Sequence, residues 1–164
     1  MNTRIVSLLL LLCIASTWAQ PVLKNGLVQF SWVPSRSGQQ FSLANITMLG
    51  SQSHVWTAAQ SSAWWQVQLS SPAATPLVLD STMEPASSSW STAPIPGGVS
   101  GTFLYQFSVA GDAGLVRIDI ALLSSAATAQ WSLSASSTST RLGVWRAALL
   151  LPLRQSNNDF LLVP

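Results

Sequence analysis

The feature that most constrains this chain is an alternation of apolar and polar side chains that recurs along most of its length. In segment 115–123 every second residue is aliphatic, and the residues between them include Arg117 and Asp119. Segments 26–33 and 64–69 alternate in the same way. Because a period of two sends successive side chains to opposite faces of a strand, the pattern predicts half-buried β-strands. No segment combines a helical period with capping residues.

The strand pattern predicts an all-β domain, an antiparallel β-sandwich or supersandwich of about nine short strands. The predicted strands are 26–33, 41–49, 55–58, 64–69, 77–79, 102–109, 115–123, 130–134 and 144–153. Segment 81–100 is rich in serine and proline, and it predicts a loop because proline cannot donate to a strand ladder. Residues 110–114 are predicted to form the turn of a hairpin, and 134–140 a strand end and loop.

The first 19 residues have the layout of a secretory signal peptide. Arg4 precedes an apolar run, 5–15, and small residues follow it at Thr17 and Ala19. The run is too short for the roughly 20 residues that a bilayer-spanning helix needs. We therefore expect a secreted protein without a membrane span after cleavage, and one sandwich domain over 20–164. The apolar end at 160–164 indicates that this domain is truncated there.

Charge is scarce: Asp, Glu, Lys and Arg make up 7% of the chain, against about 25% in ordinary soluble domains. Without Arg4, six basic and five acidic residues remain, and no Lys/Arg cluster is present to neutralise phosphates. The composition therefore disfavours a nucleic-acid partner.

The titratable residues predict no catalytic residue, metal site or cofactor. Asp80 and Glu84 are four residues apart, and paired carboxylates carry out glycoside hydrolysis. The alternative, a solvated loop, fits their proline-rich surroundings better. His54 has no second histidine or mature cysteine with which to bind a metal.

Tryptophan and one sequon supply the candidate binding and modification sites. Strand alternation turns Trp64 outward, and Trp90 falls in the predicted loop, so both rings are candidates for stacking on carbohydrate. The alternative is that the tryptophans fill the core of the sandwich. Asn45 begins the sequence Asn-Ile-Thr and is a candidate N-glycosylation site.

Several segments resemble one known domain family. The sequence LKNGLVQFSW at 23–32 resembles the "ENGLVRVxF" first strand of the galactose-mutarotase-like β-supersandwich domain of secreted glycosidases, and 37–45 resembles the "GxxxSLxD" strand that follows. Segments 131–133, 144–153 and 158–164 are similar to its later "WxLxV", "V…V.FPxL" and "DxLLxP" elements.

The resemblance implies a non-catalytic N-terminal domain that precedes a (β/α)₈ barrel, which carries the catalytic carboxylates. The expected function is therefore to support or shape a catalytic barrel that this chain does not contain. Two alternatives remain open: a free-standing carbohydrate-binding or adhesion module, and a structural surface or matrix protein. The implied partners are carbohydrate and a catalytic domain in the same polypeptide.

Overall fold

A computed structural model of the protein describes residues 20–49, 54–57, 63–70, 77–109, 112–138 and 143–150. In these ranges the fold is all-β, with eleven strands, antiparallel pairing between neighbours and no helix. The predicted antiparallel β-sandwich is confirmed, although the described strands number eleven instead of about nine. Nothing within these ranges forms a helix with the length and hydropathy that a membrane crossing requires.

The bounds of the strands are β1 Val22–Lys24, β2 Val28–Pro34, β3 Phe41–Met48, β4 His54–Thr57, β5 Trp65–Ser70, β6 Leu77–Asp80, β7 Ser87–Ile95, β8 Gly98–Val109, β9 Asp112–Leu123, β10 Ala129–Ser137 and β11 Gly143–Leu149. They form three antiparallel sheets with the orders β1-β2-β3-β4, β10-β9-β8-β7 and β11-β5-β6.

The three sheets form two layers around an aromatic core. One layer is the sheet β10-β9-β8-β7, which has the longest strands. The other layer consists of the two smaller sheets, β1-β2-β3-β4 and β11-β5-β6, whose strands are shorter. On β8, the ring centroid of Phe103 lies 5.0 Å from that of Trp32 on β2, and the centroid of Tyr105 lies 5.2 Å from that of Trp65 on β5. One inner face thus packs against both smaller sheets. Because each large aromatic side chain buries about 150–250 Å², these contacts account for much of the core.

The prediction of a loop over 81–100 is wrong, because this segment contains β7 and the start of β8. In β7, Ser88 and Trp90 are half-buried while the serines beside them are exposed. Pro94 is tolerated because β7 is an edge strand, and a backbone N–H on its unpaired edge would have no neighbouring strand to bond. Pro96 and Gly97 form the turn to β8, and Gly97 has the positive φ of 74° that this tight turn requires.

The predicted hairpin of β8 and β9 is confirmed, but both strands begin earlier than predicted, at Gly98 instead of Thr102 and at Asp112 instead of Leu115. The strand β10 likewise extends to Ser137, within the predicted loop 134–140. The predicted signal peptide at 1–19 and the apolar end at 160–164 lie outside the described residues.

Asn25 fastens the first sheet to the turn between β9 and β10. Its Oδ1 accepts hydrogen bonds from the backbone N–H groups of Leu27 (2.7 Å) and Val28 (2.8 Å). Its Nδ2 donates to the carbonyl oxygens of Leu123 (2.7 Å) and Ala126 (2.9 Å). One amide therefore closes the β1–β2 turn and ties it to the opposite layer.

Candidate functional site

Trp64 lies in the core, so the prediction that its ring is exposed is wrong. Its side chain is 0% exposed, and Nε1 donates a 2.6 Å hydrogen bond to the carbonyl oxygen of Phe41. The backbone N–H of Trp64 donates to Ser81 Oγ at 2.9 Å. The residue forms a bend just before β5, so strand alternation does not apply to it, and Trp65 is buried as well.

Trp90 is half-buried on the inner face of β7. Its ring centroid lies 4.3 Å from that of Phe103, the residue opposite it on β8. The indole also covers Gly101, where an added Cβ would lie only 2.2 Å from the ring. The ring that was predicted to be an exposed stacking platform is thus part of the wall of the core.

We expect Gly101→Ala to lower the free energy of unfolding by about 1–3 kcal/mol, because the new methyl group would displace the Trp90 ring. Gly114→Ala is the matched control, since a Cβ there meets nothing closer than 3.9 Å. Denaturant unfolding followed by circular dichroism measures both variants. Equal stabilities would contradict the packing of Trp90 on Gly101.

Each carboxylate of the candidate catalytic pair accepts hydrogen bonds from other residues of the domain. Asp80 Oδ1 accepts hydrogen bonds from Thr82 N (2.8 Å) and Thr82 Oγ1 (2.6 Å). Glu84 accepts a short hydrogen bond from Ser37 Oγ in the turn between β2 and β3. These contacts lie at the surface and favour the alternative, a solvated loop, over a catalytic pair. Among the described residues, no three His, Cys, Asp or Glu side chains come together as metal ligands would.

Asn45 lies on β3 next to a β-bulge. Phe41 and Leu43 face the core before the bulge, and Ile46 is buried after it. Half-buried Asn45 lies on the opposite face of β3 from buried Ile46, between buried Ser31 of β2 and exposed Thr57 of β4. The modification of Asn45 stays a prediction.

The sequence did not predict the polar surface on the outer side of the sheet β10-β9-β8-β7, which we call the hydroxyl face. Its cross-strand rows follow from the pairing register. From β7 to β10 they are Ala93–Ser100–Ala121–Gln130, Ser91–Thr102–Asp119–Ser132, Ser89–Leu104–Arg117–Ser134 and Ser87–Gln106–Leu115–Ser136. The alternation of serines in β7 and β10 is the signal that could identify it, but the serine-rich composition of both segments also predicts loops.

An ion pair occupies the middle of the hydroxyl face. Arg117 donates to Asp119 through Nε (2.7 Å) and Nη2 (3.0 Å), and Thr102 Oγ1 donates to Asp119 Oδ1 at 2.6 Å. The hydrogen bonds from Arg117 hold the pKa of the Asp119 carboxyl below its usual value, although partial burial opposes the shift. Asp119 therefore stays ionised, and its charge is neutralised by Arg117.

Two depressions border this face, and the larger one also includes residues of the inner side such as Phe107 and Gly114. One, of about 250 Å³, is lined by Ser100, Asp119, Gln130 and Ser132 among others. A larger groove of about 490 Å³ lies at the far end of the strands, beside Leu115. The first depression therefore presents hydroxyl and amide groups, which can donate and accept hydrogen bonds, and a carboxylate, which can accept them.

The site that the structure describes is thus a neutral, hydroxyl-rich sheet face backed by an aromatic core. Neither Trp64 nor Trp90 contributes to the hydroxyl face, because both rings lie on the inner side of the sandwich. The resemblance of the chain to a galactose-mutarotase-like domain stays a prediction, since comparisons with protein-family models, curated proteins and solved structures found no match.

Proposed function

We propose that this chain is a secreted, non-catalytic β-sandwich domain of a glycoside-hydrolase-like, carbohydrate-active protein, and that it supports a catalytic domain elsewhere in the same polypeptide. The observation that carries the proposal is the open inner side of β11. Val144 and Ala147 pair with Leu69 and Val67, which are buried, so the two β11 side chains face the interior of the sandwich. Both are nevertheless exposed, Val144 to 43%.

The exposed apolar inner side of the edge strand β11 favours a partner that covers it. Exposed apolar surface of this kind marks interaction sites, and an uncovered strand edge also invites pairing with other chains. A neighbouring domain of the same polypeptide would bury Val144 and Ala147 permanently. The hydrogen bonds that Asp80 and Glu84 accept within the domain are consistent with a supporting role.

The intact mass of the native secreted product tests this proposal. Mass spectrometry of the culture medium should find peptides from 20–164 within a much longer polypeptide that begins near Gln20. A product that consists of 20–164 alone, with or without a glycan, would contradict the proposal and favour a free-standing binding module.

The open side of β11 also predicts how the chain behaves when it is expressed alone. We expect concentration-dependent self-association, and Val144→Lys should reduce it because a charge on the exposed inner side opposes burial. Arg146→Ala is the matched control, since Arg146 pairs with Gln68 on the outer side of the same strand. Sedimentation velocity over a concentration series measures the effect. A monomeric wild-type chain would remove the physical support from the β11 interface.

A further inference from the structure

The hydroxyl face offers hydrogen-bonding groups that the fold itself does not use. Five exposed serine hydroxyls on it make no hydrogen bond to another group within the described part of the chain, namely Ser89, Ser91, Ser132, Ser134 and Ser136. Gln130 adds an exposed amide beside the smaller depression. These groups can donate to and accept from a ligand in place of water.

The spacing of these serines forms a two-dimensional array. Alternate residues of a strand lie roughly 6.8 Å apart, and neighbouring strands lie about 4.8 Å apart. The serines of β7 and β10 occupy the two edges of the four-stranded sheet, so about 14 Å separates their rows. An array of this extent matches an extended repeating surface better than a single small molecule.

The charge of the face restricts the chemistry of the partner. Arg117 and Asp119 are the charged residues in its rows, and they neutralise each other through two hydrogen bonds. A polyanion or an anionic membrane would gain no net attraction from such a surface. A neutral partner covered with hydroxyl groups complements both the charge and the hydrogen-bonding groups of the face.

The small side chains favour binding as well. Serine loses less conformational freedom on contact than lysine or glutamate would, and the sheet holds the hydroxyls in fixed positions before binding. The flanking serines also leave the backbone of β7 and β10 close to the surface. A flat, rigid polymer can therefore approach the sheet closely.

We propose that the hydroxyl face of the sheet β10-β9-β8-β7 binds the surface of a neutral polysaccharide by hydrogen bonding, with the array of serines and Gln130 as its contacts. This inference rests on the proposed carbohydrate-active function and adds a substrate-contact surface to it. Trp32, Trp90 and Trp131 take no part in this binding, because their rings pack against one another on the opposite, inner side of the sheet.

Binding of the secreted protein to insoluble polysaccharides tests the inference. The probes are microcrystalline cellulose, chitin and a β-1,3-glucan as neutral polymers, with pectate and chitosan as anionic and cationic comparators. We expect at least one neutral polymer to retain the protein. In Ser91→Glu and Ser136→Glu, retention should fall by about tenfold. Binding would remove water from the new carboxylate, and an uncharged polymer offers no opposite charge to compensate.

Thr57→Glu is the matched control, since it adds the same charge to an exposed strand position in the other layer. It should bind as the wild type does, and tryptophan fluorescence should show all three variants folded. Equal losses in Thr57→Glu, retention by the charged polymers only, or unchanged binding of Ser91→Glu and Ser136→Glu would each overturn the inference. Self-association that the two serine variants abolish, without polysaccharide binding, would assign the face to a second copy and overturn it too.

The two proposals fail separately. A long native polypeptide whose hydroxyl face binds no neutral polymer would leave the supporting-domain proposal intact and overturn this one. A short native product that binds neutral polymer through the hydroxyl face would overturn the supporting-domain proposal and leave the binding proposal intact.

Discussion

Replacement of Trp64 with alanine is expected to lower the free energy of unfolding by about 3–5 kcal/mol, a loss typical of large-to-small changes in a core. The indole is 0% exposed, and its ring centroid lies 5.3 Å from that of Phe103 and 6.1 Å from that of Trp32. The variant also leaves the carbonyl oxygen of Phe41 without its 2.6 Å hydrogen bond. Chemical denaturation followed by circular dichroism measures the change.

Trp64→Phe should lose less stability than Trp64→Ala, because it keeps a ring in the core while it removes the N–H donor and part of the volume of the indole. Leu115→Ala serves as the control, since Leu115 is 37% exposed and should change stability little. A Trp64→Ala protein that stays as stable as the wild type and loses polysaccharide binding would restore the stacking hypothesis and contradict the buried position.

Asn25→Ala is expected to lower the free energy of unfolding by about 2–4 kcal/mol, because it leaves two N–H groups and two carbonyl oxygens without their partner. Asn25→Asp keeps the acceptor but places a carboxylate against the carbonyl oxygens of Leu123 and Ala126. Folding should then raise the pKa of this carboxyl. The variant should therefore approach wild-type stability at acid pH and lose stability as the pH rises and the carboxyl ionises.

Gln130→Ala is the control for Asn25, since it removes an exposed amide from β10. Thermal unfolding of wild type and variants across a pH series measures these effects. If Asn25→Ala matched Gln130→Ala in stability, the amide would not fasten the two layers together.

The sequence predicted those parts of the fold that depend on local pattern. Alternation was sufficient for β2, β8 and β9, because each buries one face against a continuous core. It failed at Trp64, where the chain bends before the strand begins, so both neighbouring tryptophans enter the core. Composition is misleading at β7, where the serines predict a loop although they occupy the outer face of a strand.

The candidate site was less predictable because its parts lie far apart along the chain. The hydroxyl face joins serines of β7 to serines of β10, and only the strand order brings them to one surface. Similarly, Asn25 finds its carbonyl partners 98 and 101 residues further on. No local pattern around Asn25 indicates which distant turn it will contact.

The pairing of β11 with β5 has a consequence for the order in which the protein is assembled. Gly143 pairs with Ser70, 73 residues earlier, and the whole β7–β10 meander lies between them in the sequence. At typical rates of synthesis, β5 therefore waits roughly 4–15 s with one edge unpaired. The meander itself needs only sequence neighbours, so it is suited to forming quickly. Its completion provides the aromatic surface on which the waiting strand is held until the last partner emerges.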